Sequence, residues 1–307
     1  MKAKTAWVDI SKGIVICLMV VGHSSLPPMI GRWIWSFHMP FFFFISALYT
    51  SWDREAFTTF CIRKAKVLLI PFLAYSVINW FLIPFSQGTS HYEYAVSVLH
   101  NGWGGIALWF VPVFFLSLII CKAIPSRWAL VSGCWLMILG SILSWFQIEL
   151  PWTLASVPFA AALMLITRYF SLQLKDCISG LSLRTWFGII ILGMVASLYI
   201  SHYWRLDMCC NNITPTLPIL GGIMGGIAMI IGISVYLDKM PWLGNIFLHI
   251  GRNTYEIMAL SQAVIMTVSI FLKHEPLLRY AILIVVLIGA VYLRKLIEGR
   301  FSRVEAI

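Results

Sequence analysis

Residues 6–25 read AWVDISKGIVICLMVVGHSS, an apolar segment that also carries Asp9, Lys12 and His23. An α-helix needs about 20 predominantly apolar residues to cross a bilayer, so this segment predicts a membrane span. At about 3.6 residues per turn, Lys12 and His23 share one helix face about 16 Å apart, and Asp9 lies within about 60° of that face. Ionisable side chains are costly in lipid and by default mark function. The segment therefore predicts a polar site inside the membrane.

The whole chain has the composition of a multi-pass membrane protein. Of its 307 residues, 60% are hydrophobic and 11% are charged, and the mean hydropathy is +0.88. Soluble domains carry about 25% charged residues. We predict an all-α, polytopic membrane helix bundle that forms a single domain over residues 1–307, with no appended soluble domain.

About ten transmembrane helices are predicted. They cover residues 6–25, 31–50, 67–86, 104–121, 128–146, 152–170, 185–201, 217–236, 253–272 and 277–294. Pro112 and Pro158 interrupt the fourth and sixth spans, which favours one split or re-entrant segment.

Lys and Arg residues set the predicted orientation, because short cytoplasmic loops are enriched in them. With both termini cytoplasmic, most of the 22 Lys and Arg residues fall inside, and the outer side keeps Arg32, Arg205, Lys273 and Arg279. This topology accounts for most of the net charge of +10. The charge therefore predicts contact with membrane lipids and no nucleic-acid partner.

The second span contains the stretch FHMPFFFFIS at residues 37–46. Its phenylalanines are bulk that faces lipid or packs between helices, and a proline is tolerated where neighbours satisfy the freed carbonyl group. His38 follows His23 across a short outer turn. It is either a hydrogen-bonded packing group or a second imidazole at the same site.

Arg63, Lys64 and Lys66 precede the apolar run of the third span. Basic anchors at the inner membrane interface would account for them. Alternatively, Arg63 and Lys66, at i and i+3, share a helix face and hold a phosphate-bearing ligand from the cytoplasm.

The seven cysteines show no metal-ligand spacing. Cys209 and Cys210 lie in an outer loop with His202 and Asp207, but adjacent cysteines are poor partners in a zinc site. The sequence therefore predicts no metal.

These motifs resemble the acyltransferase-3 family of integral membrane proteins, which O-acylate bacterial surface glycans and related lipids. The resemblance rests on Asp9, Lys12, Gly13 and His23, on residues 37–46 and on residues 63–71, and more weakly on residues 108–112 and 251–262. Three positions differ from the family pattern. Lys12 and Lys66 stand where the family usually has arginine, so the bidentate hydrogen bonding of a guanidinium group is lost at both positions. The histidine that is common in the family after the position of Tyr255 is missing.

The resemblance implies transfer of an acyl group, most often acetyl from acetyl-CoA, to a hydroxyl of a cell-surface or lipid-linked glycan at the bacterial inner membrane. An imidazole with a pKa near 6.5 suits removal of the hydroxyl proton, so His23 is the predicted general base. Asp9 and His38 complete the predicted catalytic set. The predicted contacts to the donor are Lys12, Arg63, Lys64 and Lys66.

Substrate contacts are predicted at Trp109, Tyr255 and Glu256 in the weaker stretches. Glu256 is either a pocket residue or an i, i+4 partner of Arg252, a pairing that stabilises an isolated helix by only about 0.2–0.5 kcal/mol.

A second reading is a polytopic exporter or flippase that moves a glycan or lipid along the polar row of the first helix. Against it, the sequence shows no two-fold repeat of the kind that many transporters contain. Neither the acceptor, the acyl length nor the oligomeric state follows from the sequence.

Overall fold

The structure is a computed structural model that describes residues 6–23, 26–101, 107–272 and 275–304. Within these ranges it contains α-helices, short 3-10 helices and an isolated bridge between Asp207 and Asn212, but no β-strand. The α-helices are α1 (Ala6–Gly22), α2 (Pro28–Trp35), α3 (His38–Tyr49), α4 (Phe57–Gln87), α5 (His91–Asn101), α6 (Phe110–Ala123), α7 (Ala129–Trp145), α8 (Val157–Tyr169), α9 (Ser171–Gly180), α10 (Leu183–Tyr203), α11 (Thr216–Asp238), α12 (Pro241–Gly251), α13 (Thr254–Phe271) and α14 (Pro276–Val304). The all-α prediction is confirmed for this part of the chain.

Five described helices are long and apolar enough to cross a membrane, and they include α4, α10, α11 and α13. A sixth would be the pair Pro151–Tyr169 and Ser171–Gly180, which is bent by 66°. Each predicted span overlaps one or more helices of the structure, but several of these helices are short. The count of ten membrane crossings and the orientation of the chain therefore stay predictions. The span ends at 24–25 and 104–106, and Lys273, lie outside the described residues.

The second predicted span is broken into α2 and α3 at residues 36–37. Pro40 lies in the first turn of α3, where its missing N–H group costs no helical hydrogen bond. The break places His38 at the beginning of a helix instead of in the middle of one. The phenylalanines pack inside the protein, since Phe41 and Phe43 are fully buried.

Helix α1 lies at the centre of the bundle, where it packs against α11, α12 and α13 and also contacts α2 and α3. It has 17 residues, fewer than the roughly 20 that usually cross a bilayer, yet ten of them are buried. Helix α12 was not predicted because its 11 residues are too short for a span. Nevertheless, it runs closely along α1.

The outward faces of the bundle are apolar. On α10, for example, Phe187 and Leu192 are 60% and 71% exposed. The inner face of the same helix carries Gly193, where an added Cβ would lie 2.4 Å from the carbonyl oxygen of Gly225 on α11. The glycines of α11 therefore serve helix contact, as small residues do in membrane bundles.

Candidate active site

One face of α1 lines a set of cavities. Lys12, Ile16, Met19 and His23 recur every three or four residues along the helix, which places them in one row. Lys12, Ile16 and Met19 line one cavity, and Met19 and His23 line the next. The face predicted from the sequence is therefore the face that borders the cavities.

The histidine cavity, which contains His23 and His38, has a volume of about 450 Å³. Trp35 of α2, Trp109 and Gln262 of α13 contribute to its wall. The remaining wall comes from α1, from the start of α3 and from residues 206–210 in the loop between α10 and α11. Segments far apart in sequence therefore meet at one pocket with two imidazoles.

The two imidazole rings are fixed in the same manner. Their centroids are 6.4 Å apart, with planes at 82°. His23 Nδ1 lies 2.8 Å from the carbonyl oxygen of Met19, and His38 Nδ1 lies 3.0 Å from that of Ile34. Because a carbonyl oxygen only accepts, each Nδ1 carries the proton and each neutral ring keeps Nε2 as an acceptor. This geometry leaves Nε2 as the ring nitrogen available to a general base at either histidine.

The loop between α10 and α11 covers the histidine cavity. Arg205 stacks on Trp35 at 5.0 Å and lies 2.7 Å from the carboxylate of Asp207. Burial raises the pKa of the Cys209 thiol to about 12, and burial also raises the pKa of the Cys210 thiol. Burial therefore favours the neutral thiol at both positions. Within the part of the chain that the structure describes, no group of three His, Cys, Asp or Glu residues could hold a metal ion.

A second, narrower cavity of about 180 Å³ adjoins the first and is called the middle cavity. Met19 and Met39 line both. Lys12 and Tyr255 lie in its wall, and the Tyr255 hydroxyl donates to the carbonyl oxygen of Leu68 at 2.8 Å. The middle cavity therefore continues the histidine cavity along α1 and α3.

Asp9 binds two basic side chains at the other end of α1. Its carboxylate oxygens lie 2.6 Å from Lys12 Nζ and 3.4 Å from Arg252 Nε, and its side chain is 9% exposed. His23 follows Asp9 by fourteen positions, which corresponds to about 21 Å along a helix. The structure thus brings together His23 and His38 but not Asp9, which joins α1 to the end of α12.

Two glycines allow this junction. A Cβ on Gly13 would lie 2.0 Å from the carbonyl oxygen of Phe247, and a Cβ on Gly251 would lie 1.7 Å from that of Asp9. Such distances are impossible without displacing backbone, so α1 and α12 touch only because both positions lack side chains. Both glycines belong to the stretches that carried the family resemblance.

A polar cavity of about 480 Å³ lies at the end of α3 and is called the basic cavity. Arg54, Arg63 and Lys64 line it together with Glu55 and the end of α3. Tyr49 in this cavity and Ser46 in the middle cavity are one turn apart on α3. The three cavities therefore follow one another along α3, and the first two also border α1.

Arg63 in this cavity already has a carboxylate partner. Arg63 Nε lies 3.1 and 3.2 Å from the two carboxylate oxygens of Glu55, and Arg63 Nη2 also contacts Oε1. The hydrogen bonds from Arg63 hold the pKa of Glu55 below its usual range. Glu55 is therefore a carboxylate near neutral pH, bound to the group that would bind a phosphate.

The predicted donor residues separate in the structure. Arg63 and Lys64 share the basic cavity, Lys12 lies in the middle cavity, and Lys66 is exposed on α4 and lines none of the three. Arg63 and Lys66, the predicted i, i+3 pair, therefore do not share a cavity, whereas Arg63 and Lys64 do. Arg54 was missed because it lies in a loop with no helical spacing to reveal it.

The predicted substrate residues also separate. Trp109 lies in the wall of the histidine cavity, and Tyr255 in that of the middle cavity. Glu256 is buried, at 2% exposure, outside these cavities. Gln262 and residues 206–210 were missed. Gln262 lies in a stretch that resembled the family. The loop of residues 206–210 gave no signal in the sequence beyond its predicted outer position.

An all-helical protein with several membrane-length apolar helices around a two-histidine cavity is a multi-pass membrane protein with an internal polar site. A family model described as an acyltransferase domain matches residues 5–295. The chain therefore belongs to the acyltransferase-3 family and is a membrane acyltransferase, which confirms the resemblance drawn from its motifs. Comparisons with curated proteins and with solved structures find no significant match.

Proposed function

We propose that this acyltransferase transfers acetyl from acetyl-CoA to a hydroxyl of a cell-surface or lipid-linked glycan, at the inner membrane of a bacterium, with His23 as general base. The observation that carries the proposal is the row of three cavities along α3. The row has a cluster of cations at one end and a pair of imidazoles at the other.

The dimensions of the row suit a coenzyme A thioester. Arg54, Arg63 and Lys64 would bind its phosphates, as guanidinium and ammonium groups do. From Tyr49 to His38 the cavities follow α3 over about 16 Å, comparable with the reach of a pantetheine arm. The apolar middle cavity would hold this arm, and the thioester would enter the histidine cavity. Lys12 would contact the donor on the way.

The chemistry would take place beside His23. An acceptor hydroxyl would give its proton to Nε2 of His23 while its oxygen attacks the thioester carbonyl carbon. General-base catalysis of this kind typically contributes about 10²- to 10⁴-fold. His38 would hold the acceptor hydroxyl or assist the proton transfer. Trp35 and Trp109 in the wall suit the apolar faces of a sugar ring, since binding pockets combine aromatic walls with few polar groups.

The test is thiol release from acetyl-CoA by purified protein in lipid nanodiscs with a panel of glycan acceptors. Wild type should release thiol only when acceptor is present, and His23→Ala should not. His202→Ala is the matched control, because His202 is exposed at the end of α10 and lines none of the three cavities. No turnover with any acceptor, together with glycan flux in vesicles that depends on His23, would favour the exporter reading instead.

A further inference from the structure

Helix α13 presents a second row of side chains to the cavities. Tyr255 and Met258 line the middle cavity, and Gln262 lines the histidine cavity. Their spacing of three and four residues puts them on one face. Gln262 therefore stands at the same pocket as His23 and His38, but on the opposing helix.

The carboxamide of Gln262 has a defined orientation. The backbone N–H of Ala107 donates to Gln262 Oε1 at 3.1 Å. Because an N–H group needs an acceptor, this contact assigns the oxygen and leaves the NH2 group at the other branch of the planar amide. Among the described residues, none accepts a hydrogen bond from that NH2 group. A donor is therefore held by the backbone at the wall of the histidine cavity.

We propose that Gln262 is a catalytic residue that donates a hydrogen bond from Nε2 to the carbonyl oxygen of the acyl donor. This inference rests on the proposed function. When the acceptor oxygen attacks, the carbonyl π electrons move to that oxygen, and His23 takes the hydroxyl proton. The Gln262 N–H stabilises the resulting oxyanion. Collapse re-forms the carbonyl, breaks the carbon–sulfur bond, and the imidazolium returns its proton to the departing thiolate.

An anchored donor is what such stabilisation requires. Oxyanion donors are effective because they are oriented before the reaction and do not reorganise when charge develops. The bond to Ala107 supplies that orientation, since the amide cannot rotate without losing it. The basic residues of the row cannot replace Gln262, because Lys12 lines the middle cavity and Arg63 the basic cavity.

Two substitutions separate the donor role from the anchoring role. Gln262→Glu keeps an oxygen for the Ala107 N–H but removes the N–H donor, whereas Gln262→Leu removes both. Loss of one oxyanion donor typically lowers kcat by about 10²- to 10³-fold. We expect that loss in both variants, with the donor KM and the melting temperature of Gln262→Glu close to wild type. Gln173→Glu, at an exposed position of α9, controls for the added carboxylate.

The outcomes distinguish this role from the proposed function itself. If wild type is active and Gln262→Glu keeps its kcat while Gln262→Leu loses stability, Gln262 is only an anchor for Ala107 and the inference is overturned. If wild type releases no thiol with any acceptor, the proposed function fails and the role of Gln262 fails with it. A lowered kcat in Gln262→Glu at unchanged melting temperature supports the oxyanion role.

Discussion

The two ends of the cavity row are built on different principles. In the histidine cavity, His23 and His38 bond to carbonyl oxygens of their own helices and keep one ring nitrogen each for a ligand. In the basic cavity, Arg63 is already bound by a carboxylate. One end uses imidazoles held by backbone carbonyl groups, and the other uses a cluster of cations of which Arg63 is paired with a carboxylate.

The difference follows from what each end would bind. A general base acts on a hydroxyl, and backbone carbonyls orient an imidazole without blocking its Nε2. A phosphate carries charge, and unpaired cations near lipid are costly, so an internal carboxylate is a suitable partner until the ligand replaces it. We infer that the histidine end is ready for the reaction, whereas the basic end must exchange Glu55 for the donor.

The largest expected effect is at the histidine end. His23→Ala should lower kcat by about 10²- to 10⁴-fold, because the general base is lost. Binding of coenzyme A, measured by calorimetry in nanodiscs, should stay within the error of the wild-type value. Loss of coenzyme A binding in this variant would show that the two ends do not have separate tasks.

The second effect is at the basic end and should appear in binding. Arg63→Ala should raise the donor KM by about 10- to 100-fold at nearly constant kcat, because a hydrogen bond to a charged group is worth about 1.5–3 kcal/mol. Lys66→Ala is the matched control, since Lys66 is exposed outside the three cavities. Equal effects of the two substitutions would contradict the assignment of the basic cavity as the donor site.

The third test concerns the junction that holds α1 in place. Gly251→Ala inserts a Cβ against the carbonyl oxygen of Asp9, and overpacking of this kind costs about 1–3 kcal/mol or more. We expect a lower melting temperature in detergent. Gly188→Ala is the control, because nothing lies within 4 Å of its Cβ and alanine is favoured over glycine in a helix by about 1 kcal/mol. An unchanged melting temperature for Gly251→Ala would exclude the close contact of α1 and α12.

The smallest effect should come from Glu55→Gln. Removing the carboxylate leaves Arg63 without its competing partner, so the donor KM should fall, but by less than about fivefold, because exposed ion pairs are weak. Asp53→Asn in the same loop is the control, because the Asp53 side chain is 90% exposed. A higher donor KM in Glu55→Gln would mean that Glu55 positions Arg63 for the donor instead of competing with it.

Part of the site could be predicted because it lies on single helices. Lys12 and His23 belong to one face of α1, and helical geometry alone relates them. The pairing of Lys12 with Asp9 is equally local, at i and i+3. The same spacing relates Lys66 to Arg63, but Lys66 lines none of the three cavities, because spacing tells which residues share a face and not which face borders a cavity.

Other parts depended on contacts between distant segments. Gln262 meets Ala107 across 155 positions, and Arg252 meets Asp9 across 243. The break before His38 also escaped prediction, because the surrounding residues are apolar on both sides and only Pro40 marks the new helix.

The sequence by itself determined the membrane class, the helical architecture, the family and the polar face of α1, because composition and helical periodicity act within a segment. Only the tertiary structure decided that two imidazoles share a cavity, that Arg63 and Lys64 form the basic cavity, and that α12 lies against α1. Those facts depend on the packing of helices far apart in the chain, where a few close contacts such as Gly251 against Asp9 fix which faces meet.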